Sequence, residues 1–582
     1  MTSSTDIFSD RAEDIDKDSL EKLFVETGEA DKTIINALLA PGAHLLEGSR
    51  GTGKTMLLRV AYERMKSKLL KGVSSILPVF VRFPTYLSTY NPRTVAVQNF
   101  NPFLHWVVAK LLDATEKVAD EFEMINENAS IQRMALIVPK YLQRLEEHYR
   151  DESVADMEKN ASRLKVETQE LEVFGRLDEL ADNLLEIARQ RGATGIAFFL
   201  DEAAQNFAEE LQPTFFQIMK HLRHEKISVK AAVYPFVTSY GKDFDIGQDA
   251  QMLRVDRNYE EDTTDSFYEE FFSKRIVDDI TKKYIDKDIK RFIRVAAGGN
   301  PRWIIHILSR LASPKEKITS TELIAAAKYF SDETLWPFLE NLGHRLRSRR
   351  KYIDVAISLT QSFVEDLRSA NKDVAKGSEQ KPIVYLAISN SKVVPFRVHQ
   401  AIQLMLYSGI LSSRGPKRIS SRENGQLYLL HPALAIRENS LYGKEVNLSS
   451  SLVVQAYTNP QRERFREYTK NSPRISDSAT SIDSQLEYLC SNCGRSMPQD
   501  SKFCPYCGTP ITDTSPYQEL LDLSCDNLEL SPRIKSRLIE SGLFPTVGHV
   551  LSATDDELLE IRYVGTERMR LIRYAAEEVL SG

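Results

Sequence analysis

A short glycine-rich segment near the N-terminus has residue types and spacing that suit phosphate binding. The pattern G-x-x-x-x-G-K-T is complete, and its defining residues are Gly48, Gly51, Thr52, Gly53, Lys54 and Thr55. Glycines allow backbone N–H groups to turn inward around phosphate oxygens, and a helix N-terminus favours the same anions. We expect the Lys54 ammonium to reach the β- and γ-phosphates of ATP and the Thr55 hydroxyl to ligate Mg²⁺.

A pair of acids downstream has the chemistry that a phosphate-bound metal requires. The apolar run at residues 195–200 ends in Asp201 and Glu202. We expect Asp201 to hold Mg²⁺ through water and Glu202 to orient and polarise the attacking water. For this segment alone, the alternative is a buried strand that ends in an exposed acidic turn. Together with the glycine-rich segment, the adjacent acids predict ATP hydrolysis as well as binding.

Four of the five cysteines form two closely spaced C-x-x-C-G knuckles, Cys490 with Cys493 and Cys504 with Cys507. Two such knuckles complete a closed tetrahedral thiolate site for Zn²⁺. Because this segment is too short to build a hydrophobic core of its own, the metal would supply the folding energy. A redox dithiol is the alternative. Cys525 stands apart and is expected to be a core residue.

Several strands and helices must position these groups. Short apolar runs predict strands at residues 43–46, 77–83, 195–200 and 229–235. The glycine-rich segment lies between the first of these strands and a helix, which is the context that a P-loop requires. A further helix is predicted from Trp303 to Leu311, with a proline near its start.

The sequence Gly298-Gly299-Asn300-Pro301-Arg302 resembles the sensor-2 motif of AAA+ ATPases, most closely that of the origin-recognition-complex-like (initiator-type) and STAND-like branches. The resemblance implies that Arg302 projects from a helical lid onto the γ-phosphate. A surface arginine after a helix cap is the alternative. In this family a polar sensor 1 follows the fourth strand, where Thr238 or Ser239 lies. The family also forms homo-oligomers in which a neighbour supplies an arginine finger, and the candidates are Arg223, Arg254 and Arg257.

The predicted fold class is multidomain α/β, with a P-loop AAA+ core, a helical lid, a winged helix, a zinc ribbon and a small all-α helix-hairpin-helix domain. The predicted boundaries are 1–261 for the nucleotide-binding core with a helical insertion at about 101–190, 262–345 for the lid, 346–442 for the winged-helix domain, 443–487 for a flexible linker, 488–512 for the zinc ribbon and 513–582 for the helix-hairpin-helix domain. The insertion is interpreted as a partner-binding protrusion or as a solvated spacer.

Residues 381–432 are interpreted as the winged helix itself. Helices are predicted at 383–388 and 395–408, followed by a β-hairpin of residues 411–414 and 426–430 around a basic tip at 414–418. In DNA-binding versions the second helix enters the major groove and the wing contacts phosphates. Since many winged helices dock proteins instead, DNA and a protein are both candidate partners of this domain. The basic cluster at 345–351 is either a phosphate contact or a solvated helix face.

Three stretches near the C-terminus, 528–533, 538–548 and 556–565, carry a second resemblance. Through them, residues 524–580 resemble the C-terminal domain of the bacterial RNA polymerase α subunit. The resemblance implies DNA-backbone contacts by Arg533 and by amides at Val564-Gly565-Thr566. However, Thr566 and Glu567 stand where that family has basic residues. Residues 511–582 also contain far more acids than bases, which weakens electrostatic attraction to phosphates. Docking of a protein partner or effector is therefore an equal alternative.

The composition sets limits on function. A net charge of -6 gives no global attraction for nucleic acid, so DNA binding would rest on local basic patches. No apolar run is long enough to span a bilayer and the N-terminus lacks a signal-peptide core, so no membrane association and a cytoplasmic location are expected.

The sequence leads to two hypotheses about function. The first is an ATPase that couples nucleotide state to DNA binding or assembly, in replication, a mobile element or anti-phage defence. The second is a STAND-like signalling scaffold that oligomerises and docks a protein.

Overall fold

The structure is a computed structural model. It describes residues 12–25, 29–83, 101–121, 129–147, 162–163, 165, 167–189, 192–203, 211–255, 257, 259–260, 265–276, 283–311, 317–345, 350–374, 380–389, 396–419, 424–443, 446–469, 472, 474–475, 488–489, 496–497, 523–528, 530–553 and 555–581. Among these residues, no helix is both long enough and apolar enough to cross a bilayer.

A five-stranded parallel sheet forms the centre of the N-terminal half. Its strands are β1 (Ala43–Glu47), β2 (Ile76–Arg82), β3 (Gly195–Asp201), β4 (Ile227–Val233) and β5 (Gln251–Arg254), in the spatial order β2-β3-β4-β1-β5. The four strands predicted from sequence are therefore confirmed. Because all five run the same way, their carboxyl ends meet at one edge, where Arg82 lies opposite Asp201.

Helices cover both faces of this sheet. They are α1 (Lys17–Leu23), α2 (Glu29–Leu39), α3 (Lys54–Leu70), α4 (Pro102–Glu121), α5 (Ala129–Glu147), α6 (Thr168–Glu172), α7 (Leu177–Arg189) and α8 (Gln212–His221). Side chains alternate along β3, as they do in any strand. Phe199 packs with the apolar side chains of α1–α3, while Phe198 and Leu200 belong to the cluster that includes α4, α7 and α8.

The interpretation of residues 101–190 as a protrusion or spacer was wrong for the described part. Phe103, Trp106 and Leu111 of α4 are buried, and α4 packs directly on β2 and α7. These helices therefore cover one face of the sheet, because an open parallel sheet must bury both of its faces. Most of the charged stretch from 146 to 170 lies outside the described residues.

A bundle of helices, called the lid below, follows β5 in the segment for which a helical lid was predicted. Its members are α9 (Asp265–Arg275), α10 (Lys287–Ala296), α11 (Pro301–Leu311), α12 (Ser320–Phe330) and α13 (Trp336–Arg345), with a π-helical turn at Ser331–Leu335. Helix α11 begins at Pro301, where the missing N–H of proline costs no hydrogen bond. The middle of the basic cluster at 345–351 lies outside the described residues.

A second sheet, of order β7-β8-β6-β9, organises the next region. It contains β6 (Tyr385–Ser389), β7 (Leu411–Arg418), β8 (Asn424–Leu430) and β9 (Phe465–Tyr468), and packs with α14 (Arg350–Ala370), α15 (Phe396–Ser408), α16 (Pro432–Arg437) and α17 (Ser450–Tyr457). Helix α15 and the β7–β8 hairpin match the sequence prediction.

Three predictions for this region were wrong. Residues 383–388 contribute to strand β6 rather than a helix, because β6 lies between β8 and β9 and is buried throughout. Residues 414–418 lie within β7 rather than at the hairpin tip, and the partly buried Arg414 forms an ion pair with Glu260. The stretch 443–487 is not a linker throughout, since it contains α17 and β9 and the buried Ile475.

The C-terminal part contains a two-stranded pair and a small helical unit. The pair joins β10 (Tyr488–Leu489) to β11 (Ser496–Met497), on either side of Cys490 and Cys493. The helices are α18 (Pro532–Ser541), α19 (Val547–Ser552), α20 (Asp555–Leu559) and α21 (Thr566–Ser581), and they share one apolar cluster. Cys525 is buried in this cluster, as predicted, and its thiol donates to the Phe544 carbonyl at 3.0 Å.

Candidate nucleotide-binding site

The glycine-rich segment turns between β1 and α3 as the motif requires. Gly51 and Gly53 have φ of +83° and +100°, a region that side chains other than glycine rarely enter. A Cβ on Gly51 would also lie 2.6 Å from the amide oxygen of Asn300. Lys54 is the first residue of α3, so the N–H groups of this helix start point toward the space where phosphates would bind.

The Lys54 ammonium is folded back onto its own loop. It donates to the carbonyls of Gly48 at 2.6 Å and Ser49 at 3.0 Å, and it lies 3.8 Å from the centre of the Tyr234 ring. Burial lowers the pKa of Lys54 from 10.5 to about 7, although the Asp201 carboxylate opposes this shift. A phosphate would offer this ammonium a stronger partner than neutral carbonyls do.

The predicted metal ligands converge next to Lys54. Asp201 is buried at the end of β3 and accepts a hydrogen bond from the Thr55 side chain. Burial raises the pKa of Asp201 from 3.8 to about 6, and the neighbouring Glu202 adds to this effect. A hydroxyl beside a carboxylate is a donor set that Mg²⁺ accepts, and a bound cation would return Asp201 to its charged form.

Glu202 has a contact that sequence reasoning missed. Its backbone has φ of +62°, an uncommon conformation for a residue with a side chain, and its N–H donates to Asp201 at 3.0 Å. The Arg82 guanidinium, at the end of β2, donates to the Glu202 carboxylate at 2.6 Å. The sequence carried information on this contact, because neighbouring parallel strands such as β2 and β3 place their last residues side by side.

The lid contacts the P-loop through the start of α11. The Asn300 amide donates to the Arg50 carbonyl at 2.8 Å, and the Arg302 N–H points to the Gly51 carbonyl at 3.4 Å. Arg302 lines the same cavity as Lys54, Thr55 and Glu202. The structure thus places Arg302 beside the P-loop, and it adds Asn300 as a residue that joins α11 to this loop.

Part of the cavity wall is apolar. This part is formed by side chains of α1, α3, α9 and α11, including Phe24, Met56, Phe267, Phe271 and Ile305. Such a surface is suited to the flat face of a nucleotide base.

Arg257 was a candidate arginine finger, and the structure places it inside its own site instead. It donates to both carboxylate oxygens of Asp31 at 3.0 Å and to the Thr52 carbonyl at 3.0 Å. Because a finger must reach a neighbouring subunit, these contacts remove Arg257 from the three candidates. Arg223 and Arg254 are exposed and pair with Asp249 and Glu47.

Neither Thr238 nor Ser239, the candidates for sensor 1, is among the described residues that line the cavity. The Thr238 hydroxyl bonds to the backbone of Tyr234, and the Ser239 N–H donates to Gln212. Both groups therefore stabilise the turn after β4. The residue that faces the P-loop from this position is Tyr234, which lines the cavity.

Comparisons with known proteins agree with this site. Residues 7–296 match the ORC-CDC6-like family model, and residues 489–511 match a zinc-ribbon domain. No curated protein matches the chain.

Three solved structures are similar at low identity. A Walker-type ATPase of Pyrococcus abyssi has 14% identity and a TM-score of 0.37 over 72% of this chain and 96% of its own. The Orc1 protein of Aeropyrum pernix, solved in complex with DNA, has 13% identity and a TM-score of 0.31 over 73% and 94%. Cdc6p of Pyrobaculum aerophilum has 14% identity and a TM-score of 0.29 over 76% and 99%. The P-loop, the parallel sheet and the family match lead to one identification: residues 7–296 form an AAA+ domain of the ORC-CDC6-like family.

Proposed function

We propose that this chain binds ATP with Mg²⁺, hydrolyses it, and uses the nucleotide state to control DNA binding or self-assembly. One observation carries the proposal. Groups from four separate segments, namely Lys54 and Thr55, Asp201 and Glu202, Tyr234, and Arg302, converge around one cavity at the carboxyl edge of the sheet. This is where ligands bind in open α/β sheets.

Each group has a role in this proposal. Lys54 would leave its loop carbonyls for the β- and γ-phosphates, while Thr55 and Asp201 would hold Mg²⁺. Arg302 would contact the γ-phosphate from the lid. Glu202 would polarise the attacking water, and for this its carboxylate must turn away from Arg82. Phosphoryl transfer depends mainly on such positioning and charge stabilisation.

Nucleotide binding tests the site directly. We expect Lys54→Ala to abolish binding of a fluorescent ADP or ATP analogue, because the main cation for the phosphates is removed. Lys71→Ala is the matched control, since Lys71 is exposed just beyond the end of the same helix. Tight nucleotide binding by Lys54→Ala would refute the assigned site.

We propose that residues 346–442 form a winged-helix domain that contacts DNA. Helix α15 and the β7–β8 hairpin have the order of a recognition helix and a wing. His399, Gln400 and Gln403 on α15 reach solvent, and Arg418 is exposed on the hairpin. If Arg418 contacts a phosphate, Arg418→Ala should lower the slope of log affinity against log salt by about one unit. An unchanged slope would exclude this contact.

The C-terminal modules are proposed as further contact points. We propose that Cys490, Cys493, Cys504 and Cys507 hold one Zn²⁺, since four thiolates in two knuckles match its preferred donor set. All four lie outside the described residues. Elemental analysis of the purified chain should find about one zinc per chain, and Cys504→Ser should lose it. A chain without zinc would contradict the proposal.

We propose that residues 513–582 form a helix-hairpin-helix domain, in which α20 and α21 flank the hairpin at 560–565. One observation favours a protein as its partner, as in the signalling-scaffold hypothesis. Leu543, Tyr563 and Leu571 are large apolar side chains that are more than half exposed. If this second function holds, ATP turnover should be slow and indifferent to DNA, and assembly should depend on a protein trigger.

A further inference from the structure

Tyr234 connects the P-loop lysine to the C-terminal half of the chain. On one side its ring lies 3.8 Å from the Lys54 ammonium. On the other side it meets Tyr407 of α15 edge-on, with ring centroids 6.1 Å apart and planes at 79°. Both tyrosines are buried. The end of α15 is thus one side chain away from the residue expected to bind phosphate.

A second set of contacts joins the same helix end to the loop through the lid. The Tyr407 ring lies 6.1 Å from the Phe338 ring of α13, measured between centroids. The Arg50 guanidinium of the P-loop lies 5.6 Å from the centre of the same Phe338 ring. Cation–π contacts of this kind are favourable, more so when they are shielded from water. Two aromatic routes therefore connect Tyr407 to the phosphate-binding loop.

The residue after the helix anchors it to the lid. Gly409 has φ of +79°, and a Cβ at this position would overlap the Trp303 ring. Trp303 is the neighbour of Arg302 on α11. The end of α15 consequently touches both halves of the nucleotide site, the core through Tyr234 and the lid through Trp303.

This docking also limits the part of α15 that can contact an external ligand. Residues 404–408 of the helix are all buried, whereas partly exposed positions occur only in its earlier turns. A helix held in this way presents only its first turns to an external ligand.

We propose that Tyr234 is a positioning residue that holds Lys54 in its folded-back position, and that docking of Tyr407 holds Tyr234 in place. Nucleotide binding and docking of residues 396–409 then oppose each other, because phosphates must draw Lys54 away from the Tyr234 ring. Nucleotide would loosen the end of α15, and undocking of α15 would strengthen nucleotide binding, since such coupling is reciprocal. This inference rests on the proposed role of Lys54 in phosphate binding.

The first test measures nucleotide affinity in three variants. Tyr407→Ala removes the ring behind Tyr234, and we expect ADP to bind up to about fivefold more tightly, the equivalent of one cation–π contact. Tyr407→Phe keeps the ring and should match the wild type. Tyr428→Ala is the matched control, because this buried tyrosine of β8 belongs to the same domain. Affinity that is unchanged or weaker in Tyr407→Ala would overturn the inference.

The second test follows the helix itself in the wild-type chain. Amide hydrogen exchange of residues 396–408 should become faster when ADP or a non-hydrolysable ATP analogue is bound, and slower or unchanged exchange would overturn the inference. The Lys54→Ala variant distinguishes an error in the proposed nucleotide site from an error in the proposed coupling. If this variant still binds nucleotide, the proposed site is wrong. If it does not bind while Tyr407→Ala behaves like the wild type, only the coupling is wrong.

Discussion

If Lys54 binds phosphates as proposed, its burial makes nucleotide binding a proton-linked reaction. In the nucleotide-free chain, burial lowers its pKa from 10.5 to about 7. A phosphate partner stabilises the charged form and returns the pKa toward its ordinary value. Between these two pKa values the free protein carries fewer protons on Lys54 than the complex does. Binding must therefore take up a proton in this range, and affinity must fall as the pH rises.

The magnitude follows from the pKa of the free protein. At pH 8 a group with a pKa of about 7 is protonated in about a tenth of molecules, so binding should take up about 0.9 proton. Each pH unit well above 7 should weaken binding about tenfold, and from pH 7 to 9 the total loss should be about 50-fold. The Asp201 pKa of about 6 lies below this window, so its titration adds little.

Isothermal titration calorimetry with ADP, in buffers of different ionisation enthalpy at pH 8, measures the proton uptake. The matched variant is Lys54→Arg, whose guanidinium stays charged at every pH in the range. It should show almost no uptake and a flat affinity between pH 7 and 9, whatever its absolute affinity. Absence of proton uptake by the wild type would refute the reasoning, as would equal pH dependence in the two proteins.

Other predictions concern stability. Lys54→Met removes a buried cation, so the nucleotide-free protein should unfold at a higher temperature in calorimetry; a lower unfolding temperature would contradict the burial argument. Arg414→Ala leaves the buried Glu260 carboxylate without its guanidinium partner, and it should lower the free energy of urea unfolding by about 3–5 kcal/mol. Adding Glu260→Gln in a double variant should restore most of this loss. If the effects of the two substitutions simply add, the two residues are not coupled. Gly409→Ala should cost about 1–3 kcal/mol, because its Cβ overlaps an indole ring at positive φ. Gly415→Ala, also at positive φ but in open space, should cost less.

The parts of the site that are local in sequence were predictable. The P-loop is a strand, a turn and a helix start within one segment, and Gly51 and Gly53 are required by their φ values. Asp201 and Glu202 could be placed because they end an apolar strand. Arg302 could be placed only through the resemblance of its motif, since nothing in the residues alone says that α11 reaches the P-loop.

The missed features depend on contacts between distant segments. Tyr234 and Tyr407 meet across the fold, and no local pattern marks either as part of the site. Residues 383–388 are a short apolar run, and periodicity alone cannot decide between a buried strand and a helix for such a run. Strand β9 was interpreted as linker because the polar residues around it carry no periodic signal, and only pairing with β6 orders it.

ATP hydrolysis by the purified chain, with and without duplex or single-stranded DNA, tests the central claim most directly. Glu202→Gln is the control, because it keeps the size of the side chain but removes the group that would polarise water. The account predicts turnover by the wild type that DNA changes, with both turnover and response lost in the variant. Equal turnover by the wild type and Glu202→Gln would contradict it.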